Sequence, residues 1–153
     1  MDIKIREANI EELSKIYQLQ QICFQSQAKL YNNCGILPPL TETLEYLKQI
    51  QKIVKFLIVE KGEEIIGSVR YVTKGNHCHI LRLMVKPEFQ GQGIATKLLL
   101  YVEEQVPNNV YNVFTGYDNE CNLNLYHKVG YENKWLENFG SSFSFVHLQK
   151  KVD

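Results

Sequence analysis

The fold is decided by the stretch Val85-Lys86-Pro87-Glu88-Phe89-Gln90-Gly91-Gln92-Gly93-Ile94-Ala95-Thr96. It follows an apolar run at residues 80–85 that predicts a strand, and it leads into residues 97–104, whose pattern predicts a helix. Glycines at the start of a helix let the backbone approach a ligand, because no Cβ stands in the way. The first N–H groups of a helix have no partner inside it, and the helix dipole adds partial positive charge there. The stretch therefore predicts a strand–turn–helix unit whose turn is suited to a phosphate group.

Two other nucleotide-binding motifs can be compared with this turn. Residues 91–96 nearly fit the dinucleotide fingerprint G-x-G-x-x-G, but the last position is Thr96, and no acidic residue ends the next predicted strand at residues 110–115. A nucleoside-triphosphate loop is excluded because no G-x-x-x-x-G-K-[ST] can be drawn. A dinucleotide-binding protein and an ordinary glycine-rich turn without a ligand both stay open at this point.

The rest of the chain alternates between strands and helices. The predicted strands are residues 2–6, 56–60, 65–72, 77–86, 110–115 and 143–148. Helices are predicted after an Asn9 capping box with Glu12, after a Thr41 cap, after the glycine turn, and over residues 119–129. Residues 25–40 are rich in turn residues and predict either a binding loop or a plain connection. This order predicts an α/β protein with a mixed sheet and helices on both faces.

Composition bounds the class of protein. The 153 residues are 44% apolar and 22% charged, as expected of one soluble globular domain over residues 1–153. The formal net charge of zero argues against a broad surface for nucleic acid or anionic membrane. No apolar run approaches the roughly 20 residues of a membrane helix. The four cysteines are scattered and the N-terminal residues are mixed and charged, so we expect a reduced, cytoplasmic protein.

The glycine turn resembles that of one enzyme superfamily. Residues 90–95 match the signature Q/R-x-x-G-x-G/A, and Val85-Lys86-Pro87 matches the V-x-P that ends the strand before it. Both are marks of the GNAT superfamily of acyl-CoA-dependent N-acetyltransferases. A second block at residues 119–131 is similar to the family pattern N-x-x-A-x-x-L-Y-x-K-x-G-F, with Asn119, Leu125, Tyr126, Lys128 and Gly130 in step. The block departs from that pattern at Cys121-Asn122 and at Tyr131, which replaces Phe.

The resemblance implies the GNAT fold, with a central, mostly antiparallel, twisted sheet and helices on both faces. It also implies acetyl-CoA as co-substrate and no metal. Backbone N–H groups of the turn would hold the pyrophosphate, the preceding strand would pair with the pantetheine amides, and Asn119 would bond the pantetheine arm. The coenzyme-binding residues implied in this way are Leu83, Met84, Val85, Gln90, Gly91, Gln92, Gly93, Ile94, Ala95, Thr96 and Asn119.

The resemblance also implies two catalytic side chains. Tyr126 would place its hydroxyl near the thioester sulfur, where a phenol with a pKa of about 10 can protonate the departing thiolate. A primary amine has a similar pKa and must lose a proton before it attacks. Some family members place a base eleven residues before the turn, which is His79 here, and others use a water relay. A packed aromatic side chain and a strand histidine without a role are the alternatives. His77 and His79 lack an evident third metal ligand, so no metal site is predicted.

The implied activity is the transfer of an acetyl group from acetyl-CoA to a primary amine by direct attack in a ternary complex. The acceptor is expected to be a small-molecule or protein amine. The sequence shows neither an acidic cluster for polyamines or aminoglycosides nor a basic groove for an acidic substrate, so small amines, amino acids and protein lysines all stay open. A homodimer is a further expectation, with residues 143–148 as one candidate edge. A non-catalytic acyl-CoA-binding or sensing module on the same fold stays open as an alternative.

Overall fold

The computed structural model describes residues 2–30, 42–139 and 143–152. Its described residues form the strands β1 (Lys4–Glu7), β2 (Lys55–Lys61), β3 (Glu64–Lys74), β4 (His77–Val85), β5 (Val110–Gly116), β6 (Glu132–Phe139) and β7 (Phe143–Lys151). The α-helices are α1 (Leu13–Leu30), α2 (Leu44–Ile50), α3 (Ile94–Gln105) and α4 (Glu120–Val129). Short 3-10 helices cover Ile10–Glu12 and Pro87–Phe89.

The strands form one seven-stranded sheet in the order β1-β2-β3-β4-β5-β7-β6. The prediction that residues 143–148 form a sheet edge is wrong, because β7 pairs with β5 on one side and with β6 on the other. β1 with β2, β2 with β3, β5 with β7, and β6 with β7 pair antiparallel, whereas β4 and β5 pair parallel. The parallel pair follows from α3, which lies between these two strands in sequence and provides the crossover that parallel strands require. The predicted mixed α/β fold, with a mostly antiparallel sheet flanked by helices, is confirmed.

Cα packing divides the chain into two compact units, each with its own apolar core. The first unit comprises Met1–Tyr71 and Arg82–Leu98, and its most deeply buried side chains include Leu13, Ile16, Leu47, Ile58 and Ile66. The second comprises Val72–Leu81 and Leu99–Asp153, and its most deeply buried side chains include Leu99, Val102, Tyr111, Tyr131 and Leu148. The assignment of residues 1–153 to a single domain stays a prediction.

The first helix is longer than the sequence pattern predicts. The predicted loop begins at Gln25, whereas α1 continues to Leu30. Gln, Ala, Lys and Leu are good helix formers, and the dense turn residues begin only at Asn32. The part of the predicted loop that follows Leu30 lies outside the described residues. The predicted capping box is confirmed, since Glu12 Oε1 accepts a hydrogen bond from Asn9 N at 3.0 Å.

The prediction of Thr41 as the cap of the second helix is wrong. Thr43 occupies the N-cap position before Leu44, and its Oγ1 accepts a hydrogen bond from Tyr46 N at 3.1 Å. Two threonines flank Glu42, and either hydroxyl could serve as a cap in sequence terms. Thr41 itself lies outside the described residues.

Replacing Thr43 with Ala is expected to lower the free energy of unfolding by about 1 kcal/mol, because the N–H of Tyr46 loses its side-chain acceptor. Thr43→Ser keeps the hydroxyl and should cost much less. Urea unfolding followed by circular dichroism measures both variants. Equal losses in the two variants would show that the hydroxyl does not cap this helix.

Candidate functional site

The glycine turn joins β4 to α3 and is held at both ends by hydrogen bonds. Gln90 Nε2 donates to the carbonyl oxygen of Val85 at 2.9 Å, which ties the turn to the end of the strand. Lys97 N donates to the carbonyl oxygen of Gly93 at 3.1 Å, which starts the helix. Ile94 is buried and anchors the first turn of α3, whereas residues 91–93 are exposed. The local structure is therefore the strand–turn–helix unit that the sequence predicts.

Both glycines of the turn have a backbone conformation that favours glycine. Gly91 has φ +78° and Gly93 has φ +82°, in the left-handed region where an L-residue costs roughly 1–2 kcal/mol. A Cβ added at either position would meet no heavy atom within 4 Å. Space next to the backbone of the turn is thus open to a ligand.

The electrostatics of the turn suit an anion. The first turn of α3 contains no acidic residue, so no side chain there offsets the positive end of the helix dipole. The N–H groups of the first helical turn have no carbonyl partners inside the helix. The backbone of this segment is therefore suited to a pyrophosphate. The residues that the family resemblance assigns to the pyrophosphate lie in it: Gln92, Gly93, Ile94, Ala95 and Thr96.

The strand before the turn is irregular where a ligand is predicted to pair with it. In β4, the residues registered with β5 are His77–His79, opposite Val110–Asn112. Arg82 follows with φ +55° and is the only non-glycine residue with positive φ in the described part of the chain. Such a conformation costs about 1–3 kcal/mol and is often found at binding sites. The predicted pairing of the next residues, Leu83, Met84 and Val85, with pantetheine stays a prediction.

Asn119 and Gly130 define the ends of α4. Asn119 is buried and is the N-cap, and its Oδ1 accepts a hydrogen bond from Asn122 N at 3.0 Å. Gly130 ends the helix with φ +111°, as a C-terminal glycine commonly does. Two positions of the second sequence block thus have structural roles. Asn119 Oδ1 already accepts the capping hydrogen bond, so the side-chain Nδ2 of Asn119 is the group left to donate to a pantetheine arm. That role stays a prediction.

Tyr126 lies on α4 beside a second buried tyrosine. Its ring centroid is 5.9 Å from that of Tyr131, and burial raises the pKa of the Tyr126 hydroxyl above its usual range. Tyr131 Oη donates to Glu103 Oε2 at 3.0 Å, and Lys150 Nζ lies 2.6 Å from Glu103 Oε1. No described residue hydrogen-bonds to the Tyr126 hydroxyl. Tyr126 is therefore protonated at neutral pH and can act as a hydrogen-bond donor.

His79 is half-buried on β4, and its ring stacks 6.1 Å from that of His77. Burial, together with the nearby charges of His77 and Lys74, lowers the pKa of His79 below its usual value. His77 Nδ1 lies 3.0 Å from Asn112 Nδ2 on the neighbouring strand. At pH 7 the His79 imidazole is therefore mainly neutral, which is the form that accepts a proton.

Sequence reasoning missed a partly buried group of charged and polar side chains in the first unit, in which Arg70 and Gln20 are buried. Glu42 lies between two arginines, with Oε1 2.7 Å from Arg70 Nη2 and Oε2 3.0 Å from Arg82 Nη2. Gln20 Nε2 donates to Glu42 Oε1 at 2.8 Å. We call these four residues the Glu42 cluster. The signal in the sequence was an arginine inside each of two otherwise apolar strands, since arginine is rarely buried without a partner.

The described residues contain neither a cluster of metal ligands nor a membrane-spanning helix. Within residues 2–30, 42–139 and 143–152, no group of three or more His, Cys, Asp or Glu is arranged to hold a metal ion. None of the helices in these residues combines the length and the apolar character of a membrane-spanning segment.

Comparison with known proteins assigns the family. The model of the acetyltransferase (GNAT) family matches residues 13–131, which includes the glycine turn and the α4 block. The chain belongs to the GNAT acetyltransferase family. The resemblance to the GNAT family seen in the sequence is confirmed. Family membership supports an acyltransferase and does not identify the reaction.

Solved structures show the same fold along nearly the whole chain. The PaiA N-acetyltransferase of Thermoplasma acidophilum, solved in complex with coenzyme A, is 22% identical with a TM-score of 0.79, and the match covers 99% of this chain and 100% of that one. The ribosomal-protein-S18-alanine N-acetyltransferase of Escherichia coli is 11% identical with a TM-score of 0.81, covering 99% and 94%. The putative acetyltransferase YncA of Salmonella typhimurium, solved with acetyl-CoA, is 17% identical with a TM-score of 0.72, covering 100% and 95%. At these identities the likeness shows the fold of this GNAT protein and not its substrate.

Proposed function

We propose that this GNAT protein moves an acetyl group from acetyl-CoA to a primary amine by direct attack in a ternary complex. The observation that carries the proposal is the β4–α3 turn, where Gly91 and Gly93 have positive φ and a Cβ on either would meet open space. A pyrophosphate bound there would be held by backbone N–H groups at the positive end of α3. A dinucleotide could use a similar turn, but the family match favours coenzyme A.

The proposed role of Tyr126 is to donate a proton to the departing thiolate. Burial raises the pKa of the Tyr126 hydroxyl, so the hydroxyl keeps its proton at neutral pH and is available there as a donor. General acid catalysis of this kind contributes roughly 100- to 10,000-fold to a rate. The turn supplies binding and orientation instead, which place the thioester for attack.

The proposed role of His79 is to accept the proton that the amine loses. A primary amine is mostly protonated at pH 7 and does not attack in that form. A neutral imidazole can take the proton directly or through a water molecule. The depressed pKa of His79 keeps it neutral at pH 7.

This role predicts a specific pH dependence. If His79 is the base, kcat/KM should fall on acidification with an apparent pKa below about 6.5, because His79 has a pKa lower than that of an ordinary histidine. His79→Gln should lower kcat/KM about tenfold or more and remove that acidic limb. His77→Gln, on the same strand, should keep the limb but move it to higher pH, because the charge of His77 contributes to the low pKa of His79. An unchanged limb in His79→Gln would assign the proton transfer to another group or to a water relay.

Calorimetric titration of the protein with acetyl-CoA tests the proposed function, with NAD and NADP as parallel controls. We expect one-to-one binding of acetyl-CoA and no binding of either dinucleotide. Release of the coenzyme A thiol in the presence of amines then tests turnover. Binding without turnover on any amine would favour an acyl-CoA-sensing module, and a preference for NAD or NADP would favour a dinucleotide-binding protein.

A further inference from the structure

The Glu42 cluster carries more positive than negative charge. Glu42 accepts hydrogen bonds on both carboxylate oxygens, from Arg70 Nη2 and Gln20 Nε2 on Oε1 and from Arg82 Nη2 on Oε2. Arg70 Nη2 also donates to Gln20 Oε1 at 3.0 Å. One carboxylate therefore faces two guanidinium groups, and the cluster has one unit of positive charge in excess.

This excess charge is held in a poorly solvated place. Arg70 is only 3% exposed, and neither Arg70 Nε nor Arg82 Nε has a hydrogen-bond partner among the described residues. Burial alone would raise the pKa of Glu42, but the two guanidinium groups outweigh it and hold that pKa below its usual range. Glu42 is therefore ionised, and both of its oxygens are occupied by the arginines. Buried charges are normally paired, yet the two arginines share one carboxylate within the described part of the chain.

Among the described residues, Glu42 is the carboxylate that pairs with Arg70 and Arg82, and Glu45, the next carboxylate in sequence, is exposed. Residues 26–41, which lead into Glu42, contain no Asp or Glu. A missing counter-charge that the chain does not supply is one that a ligand can supply. The cluster is best placed to meet a ligand at Arg82, whose side chain is 17% exposed, compared with 4% for Arg70.

Arg82 also lies at the irregular point of β4. Its φ of +55° is unfavourable for arginine, and strained residues of this kind cluster at active sites, ligand-binding segments and switch regions. It directly precedes residues 83–85, the segment assigned to the pantetheine arm. Glu42 fixes the arginine side chain there, so the guanidinium group is oriented before any ligand arrives.

We propose that Arg82, oriented by Glu42 and supported by Arg70, binds a carboxylate of the acyl acceptor. The acceptor would then be a primary amine that also bears a carboxylate, such as an amino acid, and not a polyamine. One excess positive charge matches one carboxylate, and it repels the additional ammonium groups of a polyamine. The identification of this ligand as the acyl acceptor rests on the proposed acetyltransferase function. The carboxylate site itself can be tested without turnover.

The direct test observes the arginine Nε–H signals of the 15N-labelled protein by nuclear magnetic resonance. The probes are N-acetyl-L-alanine, which has a carboxylate, and N-acetyl-L-alaninamide, which is neutral and nearly the same shape. Loss of a signal in Arg82→Lys assigns the Arg82 resonance. We expect N-acetyl-L-alanine to shift that signal saturably and N-acetyl-L-alaninamide to leave it in place. Arg82→Gln lacks the signal, so its affinity for N-acetyl-L-alanine is measured by calorimetry, and we expect it to be at least tenfold weaker than that of the unmodified protein. Equal shifts with both probes, or no shift with either, would overturn the carboxylate site.

The second test compares turnover of matched acceptors. We expect kcat/KM for L-phenylalanine to exceed that for L-phenylalaninamide and for spermidine at least tenfold, and Arg82→Gln to remove this preference. Arg6→Gln is the control, because Arg6 is another arginine of the first unit that is held by carboxylates, in its case Glu12 and Glu60. Acetyl-CoA binding with a preference for spermidine would refute the inference and leave the proposed function standing. Loss of acetyl-CoA binding would refute that function, and the resonance experiment would still decide the carboxylate site.

Discussion

Gly93→Asp is expected to weaken acetyl-CoA binding at least 100-fold while the protein stays folded. Gly93 has φ +82°, and a Cβ added there meets no protein atom within 4 Å. Aspartate tolerates the left-handed region better than most residues, so the backbone of the turn should change little. Its carboxylate would instead occupy the space proposed for the pyrophosphate. Two like charges 4 Å apart repel by about 4 kcal/mol at an effective dielectric constant near 20, which exceeds a 100-fold loss of affinity.

Two control variants test whether the loss of affinity comes from the charge at position 93. One removes the charge, and the other adds the same charge and similar backbone strain elsewhere. Gly93→Asn has nearly the same shape as Gly93→Asp without the charge, and we expect a loss of affinity of about tenfold. Gly62 lies in the β2–β3 hairpin with φ +62°, and a Cβ added there would meet equally open space, so Gly62→Asp adds the same charge and similar strain away from the turn. It should bind acetyl-CoA like the unmodified protein. Calorimetry gives the dissociation constants, and circular dichroism checks the fold. A similar loss in Gly62→Asp would assign the effect to general destabilisation.

The features predicted correctly from the sequence are those set by neighbouring residues. The turn between β4 and α3 depends on Gly91, Gly93 and the apolar runs on either side, all within about twenty residues. The capping box of Asn9 and Glu12 is local in the same way. In such segments the backbone conformation and the hydrogen-bond partners come from the same short stretch, so the pattern is sufficient.

The features that were missed depend on contacts between distant residues. The Arg70 contact to Glu42 spans 28 residues and the Arg82 contact to Glu42 spans 40, and no periodicity in the sequence indicates which carboxylate would meet which guanidinium. The cap of α2 was predicted wrongly for a different reason, because Thr43 and Thr41 are equally good caps in sequence terms and the sequence does not indicate which one precedes the helix. The excess positive charge at Arg82 arises from contacts between side chains that are distant in sequence, and not from a run of basic residues. The sequence alone therefore did not predict it.

Tyr126→Phe is expected to lower kcat about 100-fold or more and to leave the dissociation constant for acetyl-CoA within about twofold. The substitution removes only the hydroxyl that is proposed to protonate the thiolate. No hydrogen bond to this hydroxyl exists among the described residues, so the free energy of unfolding should change little. Thiol release under saturating acetyl-CoA and amine measures kcat, and calorimetry measures binding. A kcat close to that of the unmodified protein would mean that the thiolate leaves without help from this residue.

Tyr131→Phe is the matched control because it removes the same group from a neighbouring buried ring. Tyr131 Oη donates to Glu103 Oε2 at 3.0 Å, and a hydrogen bond to a charged group contributes about 1.5–3 kcal/mol to stability. Tyr131→Phe should therefore lower the free energy of unfolding but keep kcat near its original value. Tyr126→Phe should show the opposite pattern. These opposite results would separate a hydroxyl that acts in the reaction from one that holds the second unit together, a distinction that burial alone cannot make, since both rings are buried.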